Sequence, residues 1–159
     1  MKEQEISVPN PNTPFHILFA DDDRDDRFFF AKVLNTFSIP TRLTTVEDGE
    51  KLMNYLFENS EKLPDILFLD LNMPRKNGSE CLAEIKHHEK LKSLPVVIYS
   101  TSMYEDVAEL LYDKGAHYYV RKTDLVELEK VLHYTLALLK ENSLVRPTRE
   151  EFILNFIEV

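Results

Sequence analysis

Glycine, cysteine and tryptophan are scarce in this chain: its 159 residues hold three glycines, one cysteine and no tryptophan. Gly49, Gly78 and Gly115 stand far apart, so they cannot form a GxGxxG dinucleotide fingerprint or a Walker-type phosphate loop. Cys81 alone cannot make an internal disulfide. No signal-peptide pattern or membrane-length apolar run is present, so the expectation is a cytoplasmic protein with no membrane partner. Cations are also in deficit. With 19 Lys+Arg against 28 Asp+Glu the formal net charge is −9, which argues against nucleic acid because phosphate contacts need clustered cations.

What is present suffices for one compact domain. The hydrophobic fraction is 43%, with 11% aromatic residues, enough for a core. Residues 1–14 are polar and carry three prolines, and read as a flexible leader. Short apolar runs then alternate with segments of helical period. Strands are predicted at Phe15–Ala20, Leu43–Val46, Ile66–Asp70, Val96–Ser100 and Ala116–Val120. The third and fourth are apolar nearly throughout, as strands buried on both faces require.

Helices are predicted between them. Arg24–Phe37 places Phe29, Val33, Leu34 and Phe37 on one face, and Glu50–Asn59 offers Leu52, Met53, Leu56 and Phe57. Glu80–His88 is less apolar, and Glu105–Asp113 ends at Lys114-Gly115, a normal stop signal. Asp124–Lys140 carries a long leucine-rich face with Asp124 as its N-cap. Strands separated by helices run parallel. The expected fold is therefore α/β: a flavodoxin-like (βα)5 doubly wound five-stranded parallel sheet in three α/β/α layers. The domain is expected to span 15–141. Residues 142–159 form a C-terminal extension whose end, Phe152–Ile157, is apolar enough to fold back on the domain or to meet a partner.

In such sheets ligands bind at the carboxyl ends of the strands. Strand 1 ends in Asp21-Asp22-Asp23, strand 3 in Asp70, strand 4 in Ser100-Thr101-Ser102 and strand 5 in Arg121-Lys122. Carboxylates gathered at one edge repel unless a cation or proton intervenes. Oxygen ligands of this kind suit Mg²⁺, and a carboxylate can attack phosphorus to form an acyl phosphate. A lysine and a hydroxyl would steady the phosphoryl oxygens. The chemistry pointed to is phosphoryl transfer onto an aspartate.

These residues carry a resemblance. Ile17-Leu18-Phe19-Ala20-Asp21-Asp22, Leu69-Asp70-Leu71-Asn72-Met73-Pro74 with Gly78, then Ser100 and Lys122, resemble the response regulator receiver domain over roughly residues 15–140. The local wording is similar to single-domain receivers of the phytochrome-associated type. The resemblance implies a stand-alone receiver in a two-component phosphorelay, a phosphoacceptor rather than a classical enzyme, catalysing its own phosphoryl transfer and autodephosphorylation. It makes Asp70 the phosphoacceptor, with Mg²⁺ held by Asp22 directly, by Asp21 mainly through water, by Asp70 itself and by the Asn72 backbone carbonyl. Ser100 would bond the phosphoryl group, Lys122 would pair with its charge, and Tyr119 would be the switch aromatic that follows Ser100. The implied partners are a histidine kinase or phosphotransfer protein and a downstream protein target. A homodimer would use the fourth helix, fifth strand and fifth helix, or the C-terminal extension.

Blander and rival readings stand beside these. The acid run leaves Asp22-Asp23 as an alternative metal pair, and Asp25 and Asp26 read as charges complementing the first helix dipole. Thr123 stands where receivers usually carry proline, which would remove the family's cis peptide and loosen the presentation of Lys122. Thr101 is bulkier than the small residue common beside the switch hydroxyl. His87 and His88 are adjacent on a helix, point apart and make a poor metal pair. A haloacid-dehalogenase-type Mg²⁺ phosphatase also uses a strand-end aspartate, but wants an acid where Asn72 stands. A phosphorylation-independent binding module would need none of the set.

Overall fold

The computed structural model describes residues 13–102 and 104–156. The expected leader lies almost wholly outside the described residues, as do Met103 and the end of the apolar tail from Ile157. Five βα units follow one another: β1 (Phe15–Ala20), α1 (Arg24–Leu34), β2 (Thr41–Val46), α2 (Gly49–Glu58), β3 (Ile66–Leu69), α3 (Gly78–His87), β4 (Val96–Ser100), α4 (Glu105–Asp113), β5 (Tyr118–Arg121) and α5 (Leu125–Lys140). All strands pair in parallel, in the order β2-β1-β3-β4-β5-β6. The order reverses between β1 and β3, and that switch point is where the sheet opens a crevice at its carboxyl edge.

Alternation along each strand divides the core in two. Leu18, Ala20, Leu67 and Leu69 face Leu52, Leu56, Leu82 and Leu111 of α2, α3 and α4. Ile17, Phe19, Ile66 and Phe68 face Phe30, Val33, Val131 and Leu132 of α1 and α5. Each buried aliphatic or aromatic side chain stabilises by about 1.5–3 kcal/mol relative to exposure. Phe30 stacks on Phe19 at 4.2 Å and meets Phe68 edge-on at 5.2 Å.

The apolar faces shift slightly from expectation. In α1 the core positions are Phe30, Val33 and Leu34, while Phe29 is exposed, because 30, 33, 34 and 37 follow the helical stripe more closely than 29 does. Phe57 of α2 and Leu110 of α4 also lie outward. Asp124 caps α5 as expected, accepting the Glu127 N–H at 2.8 Å.

The largest departure is a sixth strand. After α5 the chain turns at Asn142, which takes a left-handed φ of 54°, and crosses the α4–β5 side of the molecule. Arg146 donates from Nε to the Ala116 carbonyl at 3.2 Å, Tyr112 donates its hydroxyl to the Pro147 carbonyl at 2.9 Å, and Arg149 pairs with Asp113 at 2.6 Å. A 3-10 turn (Arg149–Glu151) leads into β6 (Ile153–Leu154), whose partners on β5 are Tyr119 and Val120. Phe152 is buried against the rings of Tyr112, at 5.2 Å, and Tyr119, at 6.4 Å. The extension thus folds back, and among the described residues the sheet has six strands rather than five.

Candidate functional site

The switch point brings the strand-end acids together. Asp21 follows β1 and Asp70 follows β3, and the two are tied because the Asp70 N–H donates to the Ala20 carbonyl at 2.9 Å. One carboxylate oxygen each from Asp21, Asp22 and Asp70 lies within 4.8 Å of the others. Asp21 and Asp70 are buried and Asp22 is exposed. Asp23 plays a different part. Its carboxylate caps α1, accepting from the N–H groups of Asp25 at 2.8 Å and Asp26 at 3.2 Å.

Local backbone holds these side chains in register. Asp21 accepts the Asp23 N–H at 2.9 Å, and Arg27 donates to the Asp21 carbonyl at 2.7 Å. Asp70 accepts the Asn72 N–H at 3.4 Å. Behind it the chain doubles back so closely that Gly78 donates to the Leu71 carbonyl at 2.9 Å, and a Cβ on Gly78 would fall 2.2 Å from the Asp70 carbonyl oxygen. Only glycine fits there.

Lys122 reaches the acids from the end of β5. Its ammonium is 2.5 Å from Asp21, 2.9 Å from Asp26 and 3.8 Å from Asp70, and its side chain is only 9% exposed. Its N–H donates to the Ser100 carbonyl at 2.7 Å, and the peptide bonds of the described residues are all trans, Lys122–Thr123 included. The lysine is therefore well placed without proline at position 123. Asp26, read as a dipole charge, is instead a direct partner of Lys122. The available signal was its place in the first turn of the helix that follows Asp21.

One lysine does not balance this charge. Burial pushes the Asp70 carboxyl up to about 7, with Lys122 opposing and Asp21 adding to the rise. Asp21 is also raised by burial, against its bond from Lys122. Burial would lower Lys122, but the bonds to Asp21 and Asp26 outweigh it and leave its pKa raised. Asp70 is thus poised between its charged and neutral forms near neutral pH. Three hard oxygen donors short of positive charge fit a divalent cation bound by carboxylates, with room kept for water and phosphoryl oxygens.

Ser100 supplies the second unsatisfied feature. It is fully buried at the end of β4, and its Oγ has no hydrogen-bond partner among the described residues. Such an orphaned hydroxyl ordinarily costs about 1–3 kcal/mol, which is tolerated where a partner arrives later. Tyr119 is buried on β5 and donates its hydroxyl to the Ser102 carbonyl, in the loop that follows Ser100. Asn72, Thr101 and Asp22 face outward, and a cleft of about 690 Å³ lined by Asp22, Leu71, Met73, Asn77 and Leu110 opens beside the acids. The histidine pair separates: His87 contacts its own helix through the Ala83 carbonyl at 2.6 Å, and His88 packs on Phe57 at 5.2 Å.

A doubly wound parallel sheet with an acid cluster at its switch point, a strand-end lysine and a buried hydroxyl unbonded among the described residues defines an α/β domain with its site at the carboxyl edge of the sheet. The profile of the response regulator receiver domain matches residues 17–133, and the chain belongs to that family. It is similar to response regulator Rcp1 of Synechocystis sp., with 37% identity over 127 residues covering 76% of this chain and 86% of that protein. Among solved structures it resembles the phosphorylated cyanobacterial phytochrome response regulator RcpA, with a TM-score of 0.73 and 32% identity over 82% of this chain and 96% of that one. The Mn²⁺-bound form of Rcp1 superposes with a TM-score of 0.71 at 32% identity, covering 85% of this chain and all of that one. The protein is a response regulator receiver of a two-component phosphorelay. No helix among the described residues is long and apolar enough to cross a membrane.

Proposed function

We propose that this receiver takes a phosphoryl group onto Asp70 from the phosphohistidine of a histidine kinase or phosphotransfer protein, with Mg²⁺ held by Asp21, Asp22, Asp70 and the Asn72 backbone carbonyl. The observation that carries this is the convergence of three carboxylate oxygens within 4.8 Å on a nearly buried Lys122, beside a Ser100 hydroxyl unbonded among the described residues. The Asp70 carboxylate oxygen attacks phosphorus, the P–N bond breaks, and the electron pair leaves with the imidazole nitrogen. A divalent ion in this site supplies the positive charge that three carboxylates and the incoming phosphoryl oxygens lack. Lys122 pairs with one phosphoryl oxygen and Ser100 donates to another. The same groups later orient the water that hydrolyses the acyl phosphate, giving self-catalysed turnover of the signal.

The output follows from Ser100. A phosphoryl group that engages its hydroxyl draws the loop after β4 inward, and Tyr119, bonded to that loop through Ser102, responds. The face remodelled is α4–β5–α5, part of which the C-terminal extension already covers. Tyr104 at the start of α4 is exposed there, and Val145 of the extension is exposed as well, apolar groups that a protein target or a second copy could cover. The likeness to the phytochrome response regulator RcpA supports a phytochrome-type kinase as donor.

The test uses acetyl phosphate or beryllofluoride with Mg²⁺, read by intact mass and by a change in association state. The wild-type chain gains one phosphoryl group and Asp70→Asn gains none. Equal modification of the two removes Asp70 as acceptor.

A further inference from the structure

Asp26 lies outside the acid set gathered at the sheet edge, yet it makes the second-shortest contact to the ammonium of Lys122. Its oxygen is 2.9 Å from Nζ, against 2.5 Å for Asp21 and 3.8 Å for Asp70. The distances sort the partners. Two are hydrogen bonds, and the third, to Asp70, is beyond hydrogen-bond reach. An ammonium has three donors in one tetrahedral spread, so the direction in which its partners pull decides where the third donor points.

The position of Asp26 is fixed from below. Its N–H donates to the cap residue Asp23 at 3.2 Å, which anchors the first turn of α1 and aims the Asp26 carboxylate across to the end of β5. Its side chain is 35% exposed, so it retains water while pairing with a lysine that is nearly dry. Asp21 cannot be removed from this arrangement without losing an oxygen of the acid cluster. Asp26 can, because none of its atoms belongs to that cluster.

We infer that Asp26 is a positioning residue for phosphoryl transfer: it draws Lys122 away from Asp70 in the resting chain and competes with the phosphoryl group for the same ammonium. The inference rests on Asp70 being the acceptor. Before transfer, two of the three donors of Lys122 are taken by Asp21 and Asp26, whose pull holds the ammonium 3.8 Å from Asp70. When the Asp70 oxygen attacks phosphorus of acetyl phosphate, the P–O bond to acetate breaks and acetate leaves with the electron pair. The phosphoryl oxygens then draw the ammonium toward Asp70, against the pull of Asp26. Asp26 thus raises the barrier to loading and keeps the unloaded site quiet, a role that a plain helix-dipole charge would not have.

The experiment compares wild type, Asp26→Asn and Asp26→Glu in the full chain at saturating Mg²⁺. It reads the pseudo-first-order rate of phosphorylation by acetyl phosphate and the affinity for beryllofluoride. Asn keeps the shape and the helix position but gives up the ion pair. Its expected effect is a roughly two- to five-fold faster rate and a similarly tighter beryllofluoride affinity, about the size of one partly exposed ion pair. Glu, which restores the charge, is expected to return both values to near wild type. Unchanged or slower loading in Asp26→Asn, or a Glu variant that behaves like Asn, overturns the inference alone. A wild-type chain that takes up no phosphoryl group overturns the acceptor reading, and this inference with it.

Discussion

The two ends of the sheet both bury ionisable groups, and they treat them in opposite ways. At the carboxyl end Asp21 and Asp70 are packed together with too little positive charge, and the Ser100 hydroxyl has no partner among the described residues. At the amino end, where β4 and β5 begin, the groups drawn inward are bases, His117 buried and Lys86 half-buried. His117 receives the Val96 N–H on Nδ1 at 3.5 Å, and burial, with Lys86 and Arg146 nearby, holds its pKa down to about 4. Lys86 is lowered to about 8 by burial and by Arg146, but its ammonium donates to the carbonyls of Lys92 at 3.1 Å and Leu94 at 2.7 Å. One end has its polar groups paired and serves as structure. The other leaves them partly unpaired: its carboxylates lack positive charge of the kind a divalent ion would bring, and the Ser100 hydroxyl lacks a partner among the described residues. Perturbed titration alone does not separate the two, whereas satisfaction of the hydrogen bonds does.

Replacing the lysine at each end gives the strongest test of this contrast. Lys122→Ala is expected to slow phosphorylation by acetyl phosphate about 100-fold or more, the usual size for a lost charge-stabilising donor. Lys86→Met is expected to leave that rate within about two-fold, because nothing at the amino end touches the phosphoryl group. Comparable rate losses in both variants would break the comparison. Next in size is the effect of metal. Mg²⁺ at about 100 times its dissociation constant should stabilise the chain at about pH 7.5 by about 2.7 kcal/mol in denaturant titrations, and Asp22→Asn should remove most of that gain. Lys86→Met leaves two carbonyls without their donor, and is expected to cost about 1–3 kcal/mol with or without metal.

The smallest effect is a slope. Asp70, raised to about 7, favours the folded state below the ordinary carboxylate range, and this contribution is lost as pH rises toward 7. His117, lowered to about 4, contributes stability above the ordinary histidine pKa, and it is lost as pH falls toward 4. In metal-free wild type the two oppose between about pH 4 and 6.5. Asp70→Asn removes one of them, so its melting temperature should climb more steeply across that window. It should also exceed wild type in stability at neutral pH, by about 0.5–2 kcal/mol. Parallel profiles for the two proteins would show that Asp70 carries no such burden.

Most of the fold was legible because its units are local. Ile66–Leu69 and Val96–Ser100 are apolar runs that only a doubly covered strand explains, and Asp124 and Lys114-Gly115 mark helix ends by their own chemistry. The acids of the site were legible for the same reason: each ends a strand, and parallel strands end together. What escaped depends on contacts between distant segments. β6 is two residues long, and nothing in Ile153-Leu154 itself says that Phe152 will find Tyr112 and Tyr119. Asp26 sits among five aspartates in six residues, so its pairing with Lys122, 96 positions away, is set by how α1 leans on the end of β5. The exposure of Phe29 beside buried Phe30 is likewise decided by the angle at which α1 meets the sheet.

The short sixth strand has a consequence for how the molecule behaves in a crowd. Without it, β5 would form a border of the sheet, offering unpaired backbone groups between apolar side chains at Tyr118, Tyr119 and Val120 to any other extended chain. At the opposite border β2 protects itself by composition, with threonines and Arg42 on a partly wet strand. β5, buried for the sake of the site, has no such polar cover and receives a lid of its own chain instead, ending after only two residues. A border that short gives a neighbouring chain little to pair with, so the extension keeps the apolar strand from recruiting strangers.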